Sequence, residues 1–467
     1  MLGSTDALLR RLFLISAIGT DAALCARANA EEPPPARNVP VPKPKANDLD
    51  EHIAKLSEEI RRDPESVKAF FQRALYWDEK QEFVKALKDY AEVIRLSPRF
   101  TFAFIHRGEL WREMGESDRA QADFDEALRL YDGAVRRDPK SVHTRIDRAW
   151  VWYAKGEIRN AIADLEQAIA LQSVSSFHVM RGIAWKDLGE LDKAVSDCDR
   201  AIELDRANAA AWACRGVVRA LGGERNNAIA DFTEAIRLGP AQPSTYTHRA
   251  NVFLKMGELD KAIEDCTEAV RLCSRFAPAF RCRAHSWLAK NDLNRALADF
   301  DHAIRFTPNY VKVTFNSREF SPHRRAADRI YSNDDSVQLD RAIVWQMTGA
   351  WDKAIADLGQ AIRLDPKSAL AHDSHAWLRA TCPDDKSRDG KMAVELATKA
   401  CELTEWKSDA FIATLAAAHA EAGQFDEAKK RLQQAIDLAP KKDVETRAQM
   451  MKLFNDGKPY HEEPKAK

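Results

Sequence analysis

The 467-residue sequence is poor in glycine, with only 18 residues. An α/β enzyme with tight turns and phosphate-cradling loops uses more. No GlyXXXXGlyLys loop and no GlyXSerXGly elbow occur. The eight cysteines include no CysXXCys pair, and no HisGluXXHis occurs among the 12 histidines. Neither a zinc site nor a disulfide framework therefore has its usual spacing. No apolar run reaches 18 residues, which leaves no ordinary membrane span. Neither charge sign is in excess: 71 Lys and Arg face 72 Asp and Glu, a formal net charge of -1. That balance argues against wrapping nucleic acid by bulk charge. No carboxylate dyad stands out. The chain is expected to be noncatalytic, with no cofactor and no metal.

What the sequence has in abundance is repetition. A small-residue motif returns with landmark alanines at Ala86, Ala120, Ala161, Ala194, Ala228, Ala262, Ala296, Ala354, Ala393 and Ala428. The successive spacings are 34, 41, 33, 34, 34, 34, 58, 39 and 35 residues. Each unit reads as two helices. Twelve residues before most landmarks comes another small residue, such as Gly108, Gly182, Gly216 or Ala284. It lets the second helix approach closely. Apolar or Cys residues follow the landmark by four and small residues by seven, which places them on one helical face. Pro98, Pro139, Pro240, Pro308, Pro366 and Pro440 close helices. One such pair cannot bury its apolar face alone, so neighbours must stack. The expected fold is all-α: an α-α superhelix of about ten helix-turn-helix units.

These residues resemble the tetratricopeptide repeat over roughly residues 49–440. The resemblance implies stacked antiparallel pairs whose concave face, lined by the first helices, holds a peptide or protein. Residues 376–439, with AlaTrpLeuArgAlaThrCysPro at 376–383, further resemble a C-terminal arrangement in proteins of Planctomycetes-type bacteria.

An Arg in the first helix is followed sixteen residues later by an Asp in eight units. The pairs are Arg73–Asp89, Arg107–Asp123, Arg148–Asp164, Arg181–Asp197, Arg215–Asp231, Arg249–Asp265, Arg283–Asp299 and Arg341–Asp357. The last two units lose both partners together, so a charge-assisted contact between the two helices is expected. Its role is structural, because it recurs. Cys198–Cys214 and Cys266–Cys282 share a separation of sixteen and are expected as neighbouring buried thiols.

The organisation expected is a signal peptide over 1–30, a proline-rich linker over 31–48, and a repeat block over 49–308 that begins with a half-repeat. An insertion or degenerate repeat follows over 309–334, then about three further repeats over 335–440 and a capping helix and tail over 441–467. Arg10 and Arg11 ahead of an apolar stretch, with Ala28-Asn29-Ala30 as the cleavage pattern, carry the leader reading. It implies export to the periplasm or beyond; without it the chain would be cytoplasmic. A lengthened second helix is expected over 119–138, and a longer turn over 381–390.

The function expected is a protein-protein interaction scaffold. The resemblance places its peptide-binding residues at Phe71, Phe102, Ile105, Trp150, Tyr153, Asn251, Arg281 and His285. The alternative is an architectural spacer or accessory subunit of an envelope complex without its own groove. The partner is an unidentified protein or peptide rather than nucleic acid, and self-association through an uncapped end is a further route.

Overall fold

The structure, a computed structural model, describes residues 48–80, 82–239, 242–306, 335–439 and 443–462. The expected leader, most of the linker and the 309–334 insertion lie outside the described residues. Those residues form two compact units, 48–256 and 257–306 with 335–462. All regular structure among them is helical.

The first unit holds α1 (Asp48–Arg62), α2 (Val67–Glu79), α3 (Phe83–Leu96), α4 (Thr101–Glu113), α5 (Ser117–Arg137) and α6 (Val142–Lys155). It continues with α7 (Ile158–Leu171), α8 (Ser175–Asp187), α9 (Leu191–Leu204), α10 (Ala209–Leu221), α11 (Arg225–Leu238) and α12 (Pro243–Met256). The second holds α13 (Leu259–Leu272), α14 (Ala277–Ala289), α15 (Leu293–Phe306), α16 (Asp335–Met347) and α17 (Trp351–Leu364). It ends with α18 (Ala369–Thr381), α19 (Gly390–Leu403), α20 (Asp409–Glu421), α21 (Phe425–Leu438) and α22 (Val444–Asn455). Even-numbered helices from α2 to α20 are the first helices of their repeats. The fold is an all-α solenoid of about eleven helix pairs.

Short chemistry sets the helix boundaries. In Asp63-Pro64-Glu65-Ser66 the proline stops the preceding helix, and Asp63 Oδ1 accepts from the Glu65 N–H at 3.1 Å. Ser66 Oγ then accepts from the Ala69 N–H and caps α2. Asp138-Pro139-Lys140-Ser141 and Asp365-Pro366-Lys367-Ser368 repeat both bonds ahead of α6 and α18. Within pairs, Gly156 closes α6 at φ 91°, a left-handed conformation glycine adopts without strain.

The landmark alanines are buried at the seam between paired helices. At three landmarks the residue twelve before meets the residue four after: Gly108 with Phe124, Gly182 with Cys198 and Gly216 with Phe232. Where the latter is large, the former must be small: a Cβ on Gly216 would stand 2.8 Å from Phe232 Cε1, and one on Gly108 2.9 Å from Phe124 Cε1. Stacked pairs bury Tyr90, Phe124, Phe232, Phe300, Leu358 and Leu432 completely. At the ends, α1 buries Leu49, Ile53 and Leu56, and α22 buries Met450 and Phe454. Leu453, beside Phe454, stays half-buried.

A three-armed arginine fastens the stack. In seven repeats the first-helix Arg donates through Nε and Nη2 to both carboxylate oxygens of the Asp on its own second helix, at 2.6–3.0 Å. The aspartates are Asp89, Asp123, Asp164, Asp197, Asp231, Asp299 and Asp357, all buried. This two-pronged geometry is the strong form of the charge-assisted bond. Arg249 belongs to the first unit and Asp265 to the second, so that pair is not placed within one unit.

The third arm, Nη1, reaches back to the second helix of the preceding repeat. Arg73 donates to Ser57 at 3.1 Å, Arg148 to Asp132 at 2.8 Å, Arg215 to Asp199 at 2.6 Å and Arg283 to Thr267 at 3.1 Å. Arg249 does the same with Thr233 at 2.9 Å. Each acceptor stands sixteen residues before its Arg, mirroring the Asp sixteen after. Arg341 donates to Asp301, forty residues back, which is sixteen plus the 24 residues added between those repeats. The flanks of the insertion thus pack as consecutive repeats: Val337 and Val344 share a core with Phe280 and Phe300.

Helix α5 is 21 residues long, against 14 in most other second helices. Seven residues are about two turns and return the helix to nearly the same azimuth. Asp132 on the extension therefore supplies the third-arm acceptor for Arg148. Asp125, in the ordinary acceptor position, pairs instead with Lys155 at 2.8 Å.

The close approach at Gly216 is testable. Gly216→Ala should cost about 1–3 kcal/mol by overpacking against Phe232. Gly133→Ala, on α5 with nothing within 4 Å of its Cβ position, should be neutral or stabilise by up to about 1 kcal/mol. Denaturation midpoints check both; equal effects would contradict the packing account.

Candidate interaction surface

The eight candidate residues lie on first helices, Phe71 to Asn251 in the first unit and Arg281 and His285 in the second. They separate sharply. Phe71 is buried: its ring meets Phe100 at 4.9 Å, edge-on, and lies 5.9 Å from Tyr90. Ile105 is also buried. Asn251 is buried and donates to the Thr247 carbonyl of its own helix at 2.7 Å. These three close the core between repeats and present no surface to a ligand. The sequence does not separate an apolar groove residue from an apolar seam residue on the same helix, and burial distinguishes these three from the half-buried candidates.

Arg281 and His285 are engaged within the fold. Both lie on α14 and both hold Asp340 of α16, Arg281 Nε at 3.0 Å and His285 Nε2 at 3.0 Å. Burial by itself would raise the Asp340 carboxyl, but bonding to His285 and Arg281 outweighs it and holds the group below its ordinary range. The charges are satisfied within the fold.

Phe102, Trp150 and Tyr153 remain half-buried on α4 and α6. Trp150 and Tyr153 stack with centroids 6.1 Å apart, and the Tyr153 hydroxyl donates to Asp187 on α8. The Trp150 Nε1–H has no hydrogen-bond partner. Leaving a buried donor unpaired is costly.

Several features escaped the sequence reading. Indoles on first helices carry a cation eight residues on: Trp77 with Lys85 at 4.4 Å, Trp111 with Arg119 at 4.8 Å and Trp185 with Lys193 at 4.5 Å. Trp287 with Arg295 at 4.6 Å and Trp345 with Lys353 at 4.3 Å continue the series. A search for Trp followed eight residues later by Lys or Arg would have found it.

The seven described cysteines are free thiols. Cys198 and Cys214 lie 2.9 Å apart, and contact with Cys214 together with burial pushes the Cys198 thiol up. Among the described residues no His, Cys, Asp or Glu group is placed to hold a metal. His372 and His375 sit three residues apart on α18, with His372 Nε2 against the Pro366 carbonyl at 3.2 Å. Both ring nitrogens of His375 are sealed and unpaired, and burial pulls its pKa down to about 4. Between them Asp373 is driven the other way, to about 7, chiefly by burial.

Models of the tetratricopeptide repeat match residues 112–176, 147–211, 243–275 and 414–442. No curated protein matches the sequence. Among solved structures, the chain is similar to a tetratricopeptide repeat protein from Parabacteroides merdae ATCC 43184, at 20% identity over 52% of this chain and 94% of that one, with a TM-score of 0.38. It is similar to YrrB, a TPR protein with an unusual peptide-binding site, at 18% identity over 45% and 96% of the two chains and a TM-score of 0.33. It is also similar to yeast Tom70, at 16% identity over 88% and 85%, with a TM-score of 0.41.

Asp373 generates a pH prediction. Its folded pKa of about 7 lies above the unfolded value of about 4. The residue costs nothing below about pH 4, and its cost grows until it is complete above about pH 7. Asp373→Asn should therefore stabilise the protein at pH 8, by on the order of 1–4 kcal/mol, and lose that advantage at pH 4. Thermal melts at the two pH values check this. A pH-independent effect would contradict it.

Proposed function

The chain is a tetratricopeptide-repeat protein, and from that premise we propose that it is a noncatalytic scaffold holding a peptide or protein against its first helices. The repeat family is noncatalytic, which supports the scaffold reading. No helix among the described residues is long and apolar enough to cross a membrane. The observation that supports a groove is the set Phe102, Trp150 and Tyr153. These rings stay half-buried on first helices, with an indole donor left unpaired beside a stacked phenol. Aromatic residues of this kind are favoured at interaction hot spots. The likeness of residues 376–439 to planctomycete-type proteins supports a bacterial setting.

The reading is tested by capturing partners on the full chain and on a Phe102→Ala/Trp150→Ala/Tyr153→Ala variant with unchanged helical content. Losing the three rings should weaken the retained partner about tenfold or more, since hot-spot truncations each cost about 2 kcal/mol. Undiminished binding would favour the spacer reading.

A further inference from the structure

The end of the described chain does something the repeats do not require. After α22, residues 456–462 turn back across the first helices α18 and α20. The Glu462 N–H donates to the Thr381 carbonyl at 2.8 Å. The Trp377 indole N–H donates to Glu462 Oε1 at 2.8 Å. The Tyr460 ring packs on the Trp377 ring with centroids 6.0 Å apart. His461 Nε2 lies 2.7 Å from Glu421 Oε2, and Glu421 is itself held by Arg388 at 2.9 Å.

The receiving surface has a physical reason to bind a backbone. Thr381 ends α18, so its carbonyl has no donor within the helix. Pro383 follows closely and has no N–H to offer. The Trp377 side chain stands one turn earlier on the same face, presenting a ring and a donor together. Ring, indole donor, free carbonyl and anchored carboxylate make a short recognition strip. It reads an extended segment with an aromatic residue two positions before an acid.

The segment on it is a light occupant. No residue of 456–462 is buried, and His461 is exposed. Among its contacts are one backbone bond, two side-chain bonds and the packing of the Tyr460 ring on Trp377, elements that another peptide can supply.

We propose that the α18–α20 face carrying Trp377, Thr381 and Glu421 is a binding site for an extended aromatic-x-acidic peptide of a partner protein, and that the chain's own Tyr460-His461-Glu462 occupies it in cis. The proposal rests on the scaffold reading, which it deepens at a place remote in sequence from Phe102 and Trp150. Occupation in cis gates the site: a competitor meets only the fraction of molecules whose tail has lifted, and its apparent affinity falls by that fraction. The tether keeps the local tail concentration high, so the native chain should bind an external peptide weakly.

The test uses the full chain, native and as Tyr460→Ala/Glu462→Gln. The probe is a labelled synthetic peptide of residues 457–463, GlyLysProTyrHisGluGlu, followed by fluorescence anisotropy. The variant should bind the probe at least about tenfold more tightly than the native chain. Adding Trp377→Phe, which keeps a ring but removes the donor, should reverse most of that gain. A probe with Ala for Tyr and Gln for Glu should not bind. Equal binding by native and variant chains, or no binding by a folded variant, would overturn the proposal. So would unfolding of the variant, which would make the segment a fixed part of the core. Concentration-dependent dimerisation of the native chain that the variant loses would also overturn it, by making a second copy the occupant. Loss of partner capture at Phe102, Trp150 and Tyr153 is a separate readout, so the two readings fail independently.

Discussion

One guanidinium on each of several first helices couples three helices of the stack. Two of its arms close on a buried Asp of its own pair, and the third reaches the second helix of the pair before. The Asp alone would be a costly buried charge, and the Arg alone an unpaired one. Together they satisfy each other in planar register, and the remaining donor is left to fix the neighbouring repeat. Apolar packing at the alanine seam supplies attraction, but it is not directional. The arginine supplies the register. A stack in which each repeat touches only its neighbours depends on such local coupling.

This explains which departures from the 34-residue period the fold accepts. Lengthening α5 by seven residues adds about two turns, so an acidic residue returns to the azimuth that Arg148 needs. The 24 residues added between α15 and α16 lie outside the third-arm contact, and Arg341 still meets Asp301. Each change leaves the fork intact. The last repeats lack the Arg and Asp and are held differently. There Arg447 of α22 is buried, donating to the Ala435 carbonyl at 3.0 Å and pairing with Asp409 at 2.5 Å. The turn after α18 is tied by Arg388, which donates to the Cys382 carbonyl at 2.8 Å.

Much of this is legible in one dimension. The landmark alanines, the small residue twelve before them and the Arg-to-Asp spacing are patterns along the chain, and the helix pairs follow from them. The long α5 is legible because seven residues preserve helical phase. The third arm was equally available, sixteen residues before each Arg, but its acceptors change among Ser, Asp and Thr and conceal the period. Groove residues are harder. Phe71 and Phe102 are alike in sequence, yet one is enclosed and the other half-exposed, because that depends on whether the next repeat covers the ring. Arg281 and His285 look free until Asp340 arrives across the insertion. The contact of Glu462 with Trp377 spans 85 residues with no repeat to announce it.

The central claim is that one side chain fastens two successive repeats. Hydrogen exchange on the Arg148→Ala variant tests it most directly. Exchange should quicken in α6 and α7, which share the Asp164 bond, and also in the second half of α5, which carries Asp132. Acceleration confined to α6 and α7, with α5 unchanged, would contradict the account.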